Sequence, residues 1–500
     1  MNEEAAYSAV RQKGSHNSYQ RSEGYIDQAL YWRIRSLEID IHNGNDASGW
    51  PTLQGDWYVY HAAVVDQSST VNQLSDALAV LRAFHLAVPD HEVVTIWLDL
   101  KDHFTATNHT PEALDQLLVE GLGREAIWGP PDLIGTEPDL QQAIQQHGWP
   151  SLEALRGKFI FACTTGNLSS PDSQLNQYVD NGKTANQRLA FVAPEISSTD
   201  QILQFTYAVV FNLSSSHTSL GQAIQEQGFI SRAYGLDSQS SWCKGWQTQV
   251  NHLTTNKVNA FSDEWARTDN PSTGYPFDFL GGDQGEPLVE PGALFAIRVN
   301  SGDLWSKEDS GYFQFDNLSG SPDRTFTGFV GNPASHVDGW IKGGLMARAS
   351  TAANAAYCAV LRTGSHGIRL QCRSAAGDKS TAIDAVIPNG VNGHSRVSAN
   401  TPIWLRLEVQ AQGNKATGYY SIDGSSWISI GSVSVNAPLV LQGWVASSHG
   451  SGEVKWLFGG APAPAEGIIL GSKASGTFLS SSAQAASLGT KPASACCPVS

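Results

Sequence analysis

RSLEIDIH, residues 35–42, decides the fold. Side chains alternate between faces along a strand, so Glu38, Asp40 and His42 project to one side. Leu37, Ile39 and Ile41 project to the other and face covering helices. VVTIWLDLKDH, residues 93–103, repeats the device, with Asp99 and Lys101 sharing a face. Carboxylates side by side on a barrel interior repel each other and need a cation or solvent at the strand end to stay ionised.

Working outward, strand-like runs fall at 33–41, 57–62, 93–100, 158–163, 189–194, 208–213, 229–233 and 257–262. Helical stretches lie between them. The clearest is 71–88, with Val71, Leu74, Leu78 and Leu81 three or four apart; 112–122 is another. Alternation of strand and helix predicts an α/β fold, an irregular (β/α)8 TIM-type barrel over residues 1–285. GDQGEPLVEPG, residues 282–292, reads as a linker. Short alternating strands follow at 356–361, 368–373, 404–410, 416–422, 427–433 and 439–446, the pattern of an all-β jelly-roll sandwich over 286–460. Residues 461–500 read as a flexible Ser/Ala/Gly-rich tail.

Composition excludes several classes. The 500 residues carry a formal net charge of −16, which leaves no basic field for nucleic acid or for an anionic membrane. No run of 18 apolar residues predicts a transmembrane helix. The N-terminal MNEEAAYSAVRQKG has no secretory signal pattern. The expectation is a secreted, extracellular protein whose signal has been removed. Cys358 and Cys372 lie symmetrically about Ser365, so a hairpin there sets them opposite each other, as a disulfide or as two buried thiols. Cys496 and Cys497 carry no readable role.

The polar residues converge on one chemistry. His16 and Asn17 sit side by side in KGSHNSYQ, and the strand-like run at 57–62 brings His61 after its apolar residues. Oxygen ligands from Asn17, Glu38, Asp40 and Asp99 suit Ca2+ or Mg2+ rather than zinc. Lys101 either offers charge to an anionic substrate or pairs with Asp99. A divalent cation at a barrel mouth with histidines beside it fits phosphodiester cleavage.

GSHNSYQ, RSLEIDIH, VYHA and VVTIWLDLKDH, in that order, resemble the X-type catalytic domain of phosphatidylinositol-specific phospholipase C, above all its calcium-dependent bacterial and fungal branch. SLEALRGKFIFA (151–162) is similar to the segment leading that branch's fifth strand. ISRAYGLDSQSSWCKGWQ (230–247) is similar to a segment of the eukaryotic enzymes. The resemblance spans residues 8–268. It implies that Asn17, Glu38, Asp40 and Asp99 bind Ca2+ and that His16 and His61 are catalytic. His61 would protonate the departing diacylglycerol oxygen; His16 would act as base or hold a phosphoryl oxygen. Arg232 and Tyr234 would contact the inositol ring and its substituents. The eukaryotic pattern has Glu where Asp99 stands. Regulatory segments and a basic cluster for polyphosphorylated headgroups are not evident, so plain phosphatidylinositol at a membrane surface is the expected substrate.

YYSIDGSSWISIG (419–431) resembles the strand-turn-strand motif of concanavalin-like jelly rolls. Trp305, Trp340, Trp404 and Trp444 are its candidates for a glycan site. A monomer is expected. Two rival functions stand beside the phospholipase. One is a metal-dependent glycerophosphodiester phosphodiesterase, which also uses an acid-x-Lys pair. The other is a non-catalytic glycan- or surface-binding protein, against which the retention of both His16 and His61 speaks.

Overall fold

The computed structural model describes residues 5–21, 24–30, 34–44, 49–63, 65–258, 263, 265–268, 288–290, 294–300, 302–331, 338–388, 403–450, 452, 454–461, 464, 466–471 and 478–479. The first nine strands are β1 (Gln12–Ser15), β2 (Ser36–His42), β3 (Tyr58–Val59), β4 (Val94–Leu100), β5 (Phe159–Thr164), β6 (Ala190–Val192), β7 (Val210–Ser214), β8 (Ile230–Tyr234) and β9 (His252–Thr255). Eight of them pair in parallel in the order β6-β5-β4-β2-β1-β9-β8-β7. The ring closes between β6 and β7, where the Asn212 N–H donates to Pro194 O at 3.0 Å and Glu195 bridges Asn212 in parallel. The result is the expected TIM-type barrel.

The membership of the barrel differs from the sequence expectation at two places. The run at 57–62 contributes only β3, which pairs antiparallel with β2 and lies outside the ring. The last strand is β9, upstream of the expected 257–262, most of which lies outside the described residues. β1 was not foreseen, because QKGS is short and polar. Its side chains are nonetheless buried, and Gly14 lets β1 lie close to β9: a Cβ there would meet Thr254 Oγ1 at 2.4 Å.

The barrel is irregular because its crossovers are unequal. Helices α1 (Tyr25–Leu30) and α2 (Leu74–Ala87) precede β4. Helix α3 (Pro111–Leu122) follows it, with Thr110 capping the Ala113 N–H at 3.1 Å. Between β6 and β7 the chain makes only a 3-10 turn, Thr199–Gln201. The apolar stripe of α2, including Leu74, Leu78, Leu81 and Phe84, is buried. No described helix is long and apolar enough to cross a membrane.

The second half forms two antiparallel sheets of seven and eight strands, the expected sandwich. Strands Lys415–Ser421 and Ile428–Ser434 form the predicted hairpin, with Asp423 Oδ1 accepting from the Ser425 and Ser426 N–H groups at its turn. Cys358 and Cys372 pair across strands Tyr357–Thr363 and Ile368–Arg373 and are joined as a disulfide, with Cα atoms 4.1 Å apart. Strand Glu466–Leu470 pairs with Gly311–Asn317, so the sandwich runs past residue 460. The 282–292 linker, apart from Leu288–Glu290, and most of the tail, with Cys496 and Cys497, lie outside the described residues.

The sandwich rests on the barrel. Trp404, almost fully buried, donates its indole N–H to Ala83 O of α2 at 3.0 Å. Trp444 is buried against Phe326 and Phe458. Neither is placed to hold a sugar. Trp305 is exposed, and half-buried Trp340 stacks on His366 at 3.8 Å.

Candidate active site

The site is built on the C-terminal ends of β2 and β4. These strands are in parallel register, with Asp40 opposite Asp99 and Glu38 opposite Trp97. Equal parity in register brings both carboxylate faces together. One oxygen each from Glu38, Asp40 and Asp99 lies within 4.8 Å of the others, the one such group among the described residues.

Each carboxylate is held differently. Glu38 Oε1 lies 2.7 Å from Arg232 Nη2, and Glu38 Oε2 accepts the Asn17 backbone N–H at 2.8 Å. Asn17 reaches it because it adopts the left-handed conformation (φ 45°) just after β1. Burial works to raise the pKa of Glu38, but Arg232, His16 and that N–H outweigh it and the group is held low. Asp99 Oδ1 accepts the Thr165 hydroxyl at 2.6 Å and the Thr164 hydroxyl at 3.3 Å; Oδ2 lies 2.5 Å from Lys101 Nζ. Here too burial is outweighed, chiefly by Lys101, and the pKa is lowered. Asp40 is the exception. Its burial dominates the opposing hydrogen bond from His61, and its pKa is raised. Oδ2 meets His61 Nδ1 at 3.0 Å and Lys101 Nζ at 2.9 Å. Oδ1 is buried with no hydrogen-bond partner; the Tyr19 hydroxyl has its pKa raised by burial and then by the Asp40 charge.

The two histidines flank the cluster. His61 is partly exposed, and its hydrogen bond to Asp40 raises its pKa despite some burial. His16 places Nε2 3.9 Å from Glu38 Oε2 and stacks on Tyr234 with ring centroids 6.0 Å apart. Its Nδ1 is buried and unpartnered. The Tyr234 hydroxyl donates to Glu195 at 3.1 Å, and burial together with Glu195 pushes its pKa up to about 12.

All nine sequence candidates therefore gather at one mouth. Arg232 differs in its engagement. It is 1% exposed, bonded to Asn212 Oδ1 at 3.1 Å and packed between Trp97 and Tyr234, with Glu38 as its ion-pair partner. Lys101 pairs with Asp99, as one of its two readings had it, and with Asp40 as well. Thr164, Thr165, Asn212 and Glu195 were missed. The signal for the threonines was their place in CTTG at the end of a barrel strand, where site residues collect.

The donor set fits a hard divalent ion. Only oxygen atoms converge, and the orphaned Asp40 Oδ1 is an acceptor that such an ion would satisfy.

Comparison with known proteins agrees. Residues 52–234 match the family described as phosphoinositide phospholipase C, Ca2+-dependent. The match bears out the resemblance drawn from the motifs. The matched segment lies within the barrel, and the family it matches, one of phosphoric diester hydrolases, is named for its calcium dependence. No curated protein matches significantly. Among solved structures, a calcium-dependent phosphoinositol-specific phospholipase C from a Pseudomonas species is 18% identical, covering 55% of this chain and 96% of that one with a TM-score of 0.45. The calcium-dependent phosphatidylinositol-specific enzyme of Streptomyces antibioticus is 20% identical, covering 52% and 96%, with a TM-score of 0.43. A glycerophosphodiester phosphodiesterase from Parabacteroides distasonis is 12% identical, covering 52% and 99%, with a TM-score of 0.30.

Proposed function

We propose that this chain, whose barrel carries the calcium-dependent phosphoinositide phospholipase C match, cleaves phosphatidylinositol to diacylglycerol and inositol 1,2-cyclic phosphate. The observation that carries the reading is two imidazoles set on one oxygen-only carboxylate cluster, His61 on Asp40 at 3.0 Å and His16 3.9 Å from Glu38.

The inositol 2-hydroxyl oxygen forms a bond to phosphorus, and the bond from phosphorus to the diacylglycerol oxygen breaks. We assign His16 to take the hydroxyl proton. His61 gives a proton to the departing oxygen. Its Nδ1 is engaged by Asp40, so Nε2 is the nitrogen left for substrate, and the same hydrogen bond raises its pKa, which favours the protonated form that an acid needs. Glu38, Asp40 and Asp99, with Asn17 beside them, would hold calcium. Bound there, calcium supplies positive charge that favours the ionised 2-hydroxyl and offsets charge on the phosphoryl oxygens. Arg232 keeps Glu38 ionised and oriented, and Tyr234 lines the wall beside His16.

The enzyme is assigned to the outside of the cell as a monomer that meets its lipid peripherally. The Cys358–Cys372 disulfide supports an oxidising compartment. Trp305 and Trp340 are the sandwich aromatics left for a glycan.

The test is phosphorus NMR of phosphatidylinositol micelles with the protein, with calcium and with a chelator. A cyclic inositol phosphate signal that requires calcium supports the proposal. Glycerophosphate or a phosphomonoester without any cyclic product would replace it with the glycerophosphodiesterase reading, for which the Asp99–Lys101 pair is the structural argument. No turnover by folded protein would leave surface binding as the function.

A further inference from the structure

Two cations neutralise the carboxylate cluster, and they are held in different ways. Arg232 is locked: its side chain is 1% exposed, bonded to Asn212 and Glu38 and packed on Trp97 and Tyr234. Lys101 is tied by its ammonium to Asp40 at 2.9 Å and Asp99 at 2.5 Å, and its side chain is 23% exposed. It stands at the end of β4 with a path to solvent; Arg232 does not.

The ammonium also takes up one oxygen on each of two of the three carboxylates that an ion would use. A hard divalent cation approaches carboxylate oxygens at about 2.3–2.6 Å. Lys101 Nζ already lies at comparable distances from Asp40 Oδ2 and Asp99 Oδ2. A second cation on the same two carboxylates is repelled by the ammonium, steeply so in a largely buried site.

We propose that Lys101 is an exchangeable internal counter-ion, whose ammonium bridges Asp40 and Asp99 in the metal-free protein and is displaced toward the mouth when a divalent cation enters the cluster. The inference rests on the calcium-dependent reading of this site. It follows from the different tethering of the two cations. Arg232 remains on Glu38 in both states, while Lys101 changes partner. The displaced ammonium becomes a positive charge at the mouth, where an anionic phosphodiester docks. The two sequence readings of Lys101, ion pair and substrate contact, are then two states of one residue.

Calorimetric titration of Ca2+ into metal-free wild-type protein and Lys101→Met tests this without substrate. Methionine keeps an apolar stem and removes the competing charge. The variant is expected to bind calcium at least about tenfold more tightly and, without calcium, to melt at a lower temperature than wild type. Equal or weaker calcium binding by the variant overturns the counter-ion role and leaves the calcium reading intact. Absence of calcium binding in both proteins overturns the two together. Should the variant not fold, lysine 15N NMR of the wild type decides. The Lys101 Nζ signal is expected to be protected from solvent exchange without calcium and lost to exchange with it. A signal that calcium leaves unchanged overturns the proposal.

Discussion

His61 Nδ1 lies 3.0 Å from Asp40 Oδ2, so the more exposed imidazole at the barrel mouth is oriented by a fully buried carboxylate. An acid held this way matters most when the leaving group is a poor one. His61→Ala is expected to lower cleavage of natural phosphatidylinositol about a hundred- to ten-thousandfold. A substrate with a good leaving group should retain far more of its rate. Equal losses on both substrates would remove His61 from the acid role.

Arg232 carries the charge balance of Glu38. Arg232→Met leaves that carboxylate buried without its ion partner, which costs about 3–5 kcal/mol. Urea denaturation of metal-free protein measures it. A loss below about 1 kcal/mol would mean that the 2.7 Å pair contributes little and that Arg232 is free for substrate.

Thr165 has φ 130°, a region that suits glycine and not a β-branched residue. Its hydroxyl nevertheless reaches Asp99 Oδ1 at 2.6 Å. Strain retained beside a site points to a positioning role. Thr165→Val should weaken calcium binding about tenfold, and Thr165→Ser should restore it. If valine and threonine bind calcium alike, the hydroxyl does not orient Asp99.

His91 and His252 are both buried, and burial lowers each pKa to about 3. The unfolded chain takes up these protons near the ordinary histidine value of about 6.5. The unfolded state therefore binds more protons below that pH. Stability is full above about pH 6.5 and falls as the pH drops toward 3, by up to about 1.4 kcal/mol per pH unit for each histidine. His91→Gln should flatten that slope by about one histidine's share between pH 6 and pH 4. Urea midpoints across this range check it, and an unchanged slope refutes the assignment.

Trp404 joins the sandwich to α2 of the barrel through Ala83 O. Trp404→Ala is expected to cost about 3–5 kcal/mol and to make the two halves melt separately in calorimetry. A single unshifted transition would show that the junction does not depend on this side chain.

Much of the site was legible because strand parity is a short-range rule. RSLEIDIH and VTIWLDLK place Glu38, Asp40, Asp99 and Lys101 on single faces whatever the rest of the chain does. The barrel class followed from the alternation of strand and helix. The membership did not: β1 is three polar residues and a glycine whose burial comes from β2 and β9 on either side, and the apolar run at 57–62 is taken by an antiparallel appendage of β2. The tryptophans show the same limit. Composition marks them as large apolar faces, and packing alone assigns Trp404 to the domain junction and Trp444 to the space between the sheets.

By itself the sequence determined the strand faces, the two-part α/β and all-β organisation, and the residue types of an oxygen-ligand site with two histidines. Tertiary structure decided who neighbours whom. The parallel register of β2 and β4 puts Asp40 beside Asp99. The return of β8 puts Arg232 on Glu38 from nearly 200 residues away. The turn after β5 lays Thr165 on Asp99. These contacts depend on ring order and register, which arise from the collective packing of eight strands and are encoded in no single stretch.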